Sequence, residues 1–261
     1  MEAIDVVKTN YVKELLAKKA REDMRQFMDF RKIGIVTGLM HNAEGSAQVD
    51  LGNTRVLCGV KLIVEEPMKD TPNQGNMMVA AELLPLASAD YETGPPSPEA
   101  IELARVVDRG IRAANSIDLK SLFIEEGKVW SVFIDLYVLN YDGNLFDACT
   151  LAAMAALMTT KVPKVEDGEA NREDRTQPLK LDSIVTSTTF GKVGGSILLD
   201  LDRNEENASD GRITIAIDDA NIRAMQKGLR GGFTKDEVEM LLDIAFQKRA
   251  ELKRALDQAA R

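Results

Sequence analysis

The chain has 261 residues, 44% hydrophobic and 29% charged, a balance that supports a folded core and excludes an intrinsically disordered chain. Its apolar runs are too short to span a bilayer, and the first residues, MEAIDVVKTNYVKELLAKKA, hold no secretory apolar segment. A net charge of −9 argues against a freestanding nucleic-acid binder while leaving room for a local basic stripe, and with His41 as the only histidine, histidine-based zinc sites and His-dependent triads are excluded.

Residues 3 to 28 carry Val6, Val7, Tyr11, Val12, Leu15 and Leu16 at helical spacing. A strand is expected from Ile33 to Leu39. Ala47, Val49 and Leu51 alternate with polar neighbours, Gly52-Asn53-Thr54 supplies a turn, and Val56 to Val64 returns as a nearly all-apolar strand, so a hairpin is predicted. A further strand is expected over Met77 to Leu86. Gly94-Pro95-Pro96-Ser97-Pro98 is a rigid connector leading into a helix over residues 98–115, with proline near its start. Val129 to Leu139 reads as an apolar strand, and Leu145 to Thr160 as an Ala- and Met-rich helix with so little charge that it must be buried. Residues 164–180 are polar and are read as a connector between an N-terminal lobe, 1–163, and a C-terminal lobe, 181–261. Strands are expected near 181–190, 193–201 and 211–218. Thr234-Lys235-Asp236-Glu237 is a capping box opening the last helix. The order of strands then two helices, twice over, predicts an α+β fold of two similarly built lobes. Cys58 and Cys149, both among apolar residues, are expected to be buried free thiols in a reducing cytoplasm.

The segment Leu199 to Asp218, LDLDRNEENASDGRITIAID, reads as strand, acidic turn, strand. Asp200, Asp202, Glu205, Glu206 and Asp210 crowd a short connection, as carboxylates do at a metal-assisted catalytic centre, yet Arg212 follows them. A guanidinium has no acceptor oxygen for a cation.

This segment, the hairpin from Ala43 through Cys58, and the Asp142-Gly143 start of the third helix together resemble the RNase PH family, whose members shorten RNA from its 3′ end by phosphorolysis. The resemblance runs from about residue 28 to 256 and implies an RNase PH-like fold of two βα lobes with mixed sheets and helices. Residues 101–112 (IELARVVDRGIR), 135–157 and 160–166 (TKVPKVE) look most like the non-catalytic branch of the family in the archaeal exosome. Active members carry an aspartate pair spaced six residues apart; the matching positions here are Glu206 and Arg212, the second with its charge reversed. Active members also follow Asp-Gly with Gly-Thr-Arg to hold the attacking phosphate at a helix N-terminus. Here Leu145 and Phe146 stand where the threonine and arginine would be, and Asp147 is expected to suit the helix dipole, repel phosphate and open a well-capped buried helix.

The resemblance therefore implies no catalytic residues and no metal or cofactor of the chain's own. Phosphate and divalent metal would belong to a catalytic RNase PH-like partner, with which this chain would alternate in a hexameric ring, a trimer of heterodimers, topped by RNA-binding caps. The predicted hairpin edge and the strands near 181–218 are expected to furnish interfaces. Arg105, Arg109 and Arg112, at i, i+4 and i+7, fall on one helical stripe beside the apolar Ala104, Val107 and Ile111. As a bare pattern they are a solvated face with Glu102 and Asp108 as local partners. The resemblance assigns that helix to gripping single-stranded RNA. The alternative is an active exoribonuclease that draws its metal ligands from the displaced carboxylates Asp200, Asp202, Glu205 and Asp210.

Overall fold

The computed structural model describes residues 3–166 and 169–260. After helix α1 (Ala3–Ala17), the strands β1 (Ile33–Thr37), β2 (Gly45–Leu51), β3 (Thr54–Glu65) and β4 (Asn76–Leu83) lead to helix α2 (Pro98–Ala113). Then come β5 (Phe123–Glu125), β6 (Lys128–Asn140) and helix α3 (Leu145–Met158). The first sheet has the order β1-β2-β3-β6-β4, with β5 against β6, and is antiparallel except where β4 runs parallel to β6. The predicted hairpin is present, Val49 facing Val56 across a two-residue loop. Its strands are paired on both sides, so the edges of this sheet are β1 and β4 rather than the hairpin.

β7 (Lys161–Val162) ends the N-terminal lobe, and the described part of the connector holds three short strands, β8 (Lys164–Glu166), β9 (Glu169–Asn171) and β10 (Gln177–Pro178). β11 (Thr186–Val193), β12 (Ser196–Leu199), β13 (Gly211–Ile217) and β14 (Ile222–Gly228) form a second, antiparallel sheet in the order β12-β11-β13-β14, with helix α4 (Arg203–Asn207) inside it and α5 (Lys235–Ala259) after it. One apolar core runs through both sheets. It is centred on α3, whose residues from Leu145 to Leu157 are all buried, as a helix apolar on nearly every side requires, with Asp147 its one acidic side chain. Among the described residues no helix is long and apolar enough to cross a membrane.

Several expectations change. The first helix stops at Ala17 instead of running to 28: Lys19 and Met24 take positive φ, and the chain turns to deliver Arg21, Arg25 and Arg31 to the segment around Asp200. Of the predicted apolar face only Val12 and Leu16 are buried, against Val193, Leu198, Leu201 and Ala208 of the second sheet region. The strand expected at 77–86 ends at Leu83, ahead of Pro85, and that expected from 181 starts at Thr186. The acidic connection contains α4, closed by a reciprocal cap between Asp202 and Glu205. The second lobe thus has one long helix and one short one, and a fourth strand, β14, that was not expected. The box at Thr234 and Glu237 opens α5 as anticipated.

Candidate nucleic-acid interface and the degenerate acidic segment

Each carboxylate of the acidic segment has its own partner, and the partners lie in different directions. Asp200, fully buried, accepts from the Arg31 side chain at 2.9 and 2.8 Å and from Asn144 Nδ2 at 2.7 Å. Burial pushes this carboxyl up, but the hydrogen bonds and charge of Arg31 outweigh it and hold it below its ordinary value. Glu205 takes the Arg21 guanidinium in a two-pronged pair at 2.9 and 2.5 Å, while Arg21 also donates to Leu199 O and Asp200 O. Asp202 caps α4, and Asp210 accepts the Gly194 N–H at 3.0 Å. No group of three or more metal-binding side chains gathers among the described residues.

Glu206 and Arg212, the positions that the resemblance matches to the aspartate pair of active members, are similarly engaged. Glu206 Oε2 accepts the Tyr141 hydroxyl at 2.6 Å and Oε1 the Asn144 backbone N–H at 2.9 Å. Burial raises its pKa despite those bonds and the nearby Arg212, which makes it a reluctant ligand for a cation. Arg212 turns to α2: its Nη2 donates to Glu102 Oε1 at 2.8 Å, and its guanidinium carbon lies 4.2 Å from the centroid of the Phe146 ring. Two of the three residues expected to depart from the family pattern, Arg212 and Phe146, are therefore stacked on each other. An aromatic ring covered by a cation stands at the α3 start, and the Asn144 N–H there already holds a carboxylate. The residues present do not fit an inorganic phosphate or a divalent cation.

The α3 start is buried as expected, but its cap is different. Asn144 adopts φ 53° and makes no side-chain cap; its amide donates to Asp147 and Asp200 instead. Gly143, at φ +85°, has to be glycine, because a Cβ would lie 2.3 Å from Leu201 O. Asp147 lies in the first turn of α3, where an acidic residue suits the helix dipole as expected, but its oxygens are spent inside the fold. It is fully buried and accepts Thr189 N–H and Oγ1, each at 2.8 Å, with burial raising its pKa to about 7 against those bonds.

Helix α2 presents the opposite case. Ser97 caps it, and Leu103, Ala104, Val107 and Ile111 are buried, which leaves Arg105, Arg109 and Arg112 exposed along one open cleft together with Asp108 and Ala113. Arg112 is tied down by Asp108 at 2.8 Å and by Met77 O at 3.0 Å. Arg109 donates to the neutral amide oxygen of Gln226 at 3.0 Å, and Arg105 has no hydrogen bond or ion pair among the described residues. Glu102, expected as a local partner of these arginines, is taken by Arg212. Arg105 and Arg109 thus keep their charge for a ligand. Sequence reasoning missed Gln226 and Tyr141, which lie far along the chain from the residues they touch.

The family described as 3′ exoribonuclease, RNase PH domain 1, matches residues 29–163, and domain 2 of the same family matches residues 183–248. The "Exosome complex component Rrp42" of Thermococcus gammatolerans is 49% identical over 251 residues, covering 94% of this chain and 92% of that protein. Among solved structures, a chain of "archaeoglobus fulgidus exosome with RNA bound to the active site" superposes with a TM-score of 0.91 at 44% identity, covering 97% of this chain and 99% of that one. A chain of "Archaeal exosome core" gives 0.87 at 41% identity, covering 97% and 98%.

Proposed function

The chain belongs to the 3′ exoribonuclease family of RNase PH, and we propose that it serves in an archaeal exosome as a subunit that does no phosphorolysis itself. In this reading it alternates with a catalytic RNase PH-like partner in a hexameric ring bearing RNA-binding caps. It supports the partner's active site and lends Arg105 and Arg109 to the path of single-stranded RNA. Phosphate and divalent metal are held by the partner, and the complex works in the cytoplasm, where the buried free thiols of Cys58 and Cys149 stay reduced.

One observation carries the reading: Arg212 and Phe146, at the positions that the resemblance matches to an aspartate and a phosphate-binding arginine of active members, stack on each other. Phosphorolysis needs a nucleophile held in line and charge neutralised at the leaving oxygen. Here the helix start is filled by the chain's own Glu206 and Phe146, and the only charge added is a fixed cation paired with Glu102. The rival reading, a displaced acidic metal site, is opposed by the separate partners of Asp200, Asp202, Glu205 and Asp210. The purified chain, given a 3′-tailed RNA, phosphate and magnesium, is expected to release no nucleoside diphosphate. Release at the rate of an active family member would overturn the reading.

A further inference from the structure

We propose that Arg212 is a positioning residue for the RNA-facing arginines: by holding Glu102 it keeps that carboxylate from neutralising Arg105 and, through Gln226, it aims Arg109. The inference rests on the reading that Arg105 and Arg109 contact RNA, and it gives the reversed charge in the acidic segment a task.

The connection is continuous. Arg212, on β13, donates through Nη2 to Glu102 Oε1 at 2.8 Å. Gln226, on the neighbouring strand β14, donates through Nε2 to the same oxygen at 3.5 Å. Gln226 Oε1 in turn accepts from Arg109 Nη1 at 3.0 Å. The donor inventory fixes the direction of this relay. A carboxylate can only accept and a guanidinium can only donate, so the Gln226 amide has to turn its nitrogen to Glu102 and its oxygen to Arg109.

Two contacts hold the first member in place. The Arg212 guanidinium lies over the Phe146 ring. On its other side it runs along Gly228, its register partner across the β13–β14 ladder, where a Cβ would come within 2.7 Å of Nη2. The missing side chain at Gly228 is the space through which the guanidinium reaches Glu102. On α2, Glu102 precedes Arg105 by three residues, so the two share a face of the helix. A carboxylate there, released from Arg212, has Arg105 as its nearest local cation and would quench part of the charge offered to a phosphate backbone.

The test uses the ring assembled with its catalytic partner and a fluorescein-labelled oligoadenylate, in buffer free of phosphate and magnesium, with affinity read by anisotropy at moderate salt. Arg109→Ala tests the underlying reading, and an affinity about tenfold lower is expected. Arg212→Met is expected to weaken binding by about threefold to tenfold, since it frees Glu102. Gly228→Ala keeps every charge and displaces only the guanidinium, and Gln226→Ala keeps every charge and removes only the amide; each is expected to weaken binding by about threefold. Thermal melts and ring size identify any variant that fails to fold, and Gln226 and Gly228 are half-buried positions outside the apolar core. If Arg109→Ala weakens binding while both charge-neutral variants bind as the wild type does, the relay is wrong and the RNA-contact reading survives. If Arg109→Ala has no effect, the reading falls and the relay with it.

Discussion

The acidic segment from Leu199 to Asp218 and the α2 face around Arg109 are both rows of charged side chains, yet only one of them has charge to spare. Around Asp200 every carboxylate meets an arginine, an amide or a backbone N–H inside the molecule. On α2, Arg105 and Arg109 meet no carboxylate, because Glu102 is held by Arg212. Charge that is matched within the fold stabilises the fold; charge left unmatched on a surface is available to a ligand. The two regions are joined through Arg212, which lies in the segment of matched charge and ties it to the helix that keeps its cations.

The comparison predicts opposite consequences for substitutions in the two regions. Asp200→Ala leaves Arg31 buried without its carboxylate and is expected to destabilise the chain by about 3–5 kcal/mol, measured by urea unfolding, with RNA binding of the surviving folded rings unchanged. Arg105→Glu with Arg109→Glu is expected to do the reverse. Stability stays within about 0.5 kcal/mol, assembly is intact, and RNA affinity of the ring falls by roughly tenfold or more with a shallower salt dependence, read by anisotropy over a salt series. Equal affinity would reduce these arginines to ordinary surface charges.

Asp147 sharpens the contrast through pH. Its carboxyl is raised by burial to about 7 from an ordinary 3.8, so the folded state holds a proton that the unfolded chain has already lost. This contribution is most favourable in acid and is lost as pH rises from about 4 to about 7. The wild type is therefore expected to lose stability relative to Asp147→Asn across that range in urea titrations; parallel pH profiles would show that the carboxyl ionises freely in the fold. The smallest effect is expected for Arg112→Ala. Arg112 is already paired with Asp108 and Met77 O, so RNA affinity should change by less than about threefold; a loss as large as that for Arg109 would put the whole stripe on the RNA.

Much of the fold was legible because its elements follow simple periods. The alternation of Ala47, Val49 and Leu51, the apolar run of β6 and the Ala- and Met-rich α3 each state their burial directly. The missed elements lack such a signal. β14 is an edge strand in which Arg223, Gln226 and Lys227 blur the alternation, so the small Ala224 alone marks its core-facing side. α4 is a five-residue helix hidden in an acidic run; the spacing of Asp202 and Glu205 was its one available cue. The first helix was read too long because apolar spacing says nothing of the polar anchors that Arg21 and Arg31 find nearly two hundred residues away in sequence. At the site, resemblance located Glu206, Arg212, Leu145 and Phe146. That Arg212 lies on Phe146 and grips Glu102 depends on how β13, α3 and α2 pack, which no local pattern encodes.

The central claim, that this chain handles RNA and leaves the chemistry to its partner, is tested most directly in a ring whose partner subunit has lost its own catalytic aspartates. With 3′-tailed RNA, phosphate and magnesium, that ring is predicted to bind RNA and release no nucleoside diphosphate. Sustained release from it would locate a working phosphorolytic site in this chain and contradict the account.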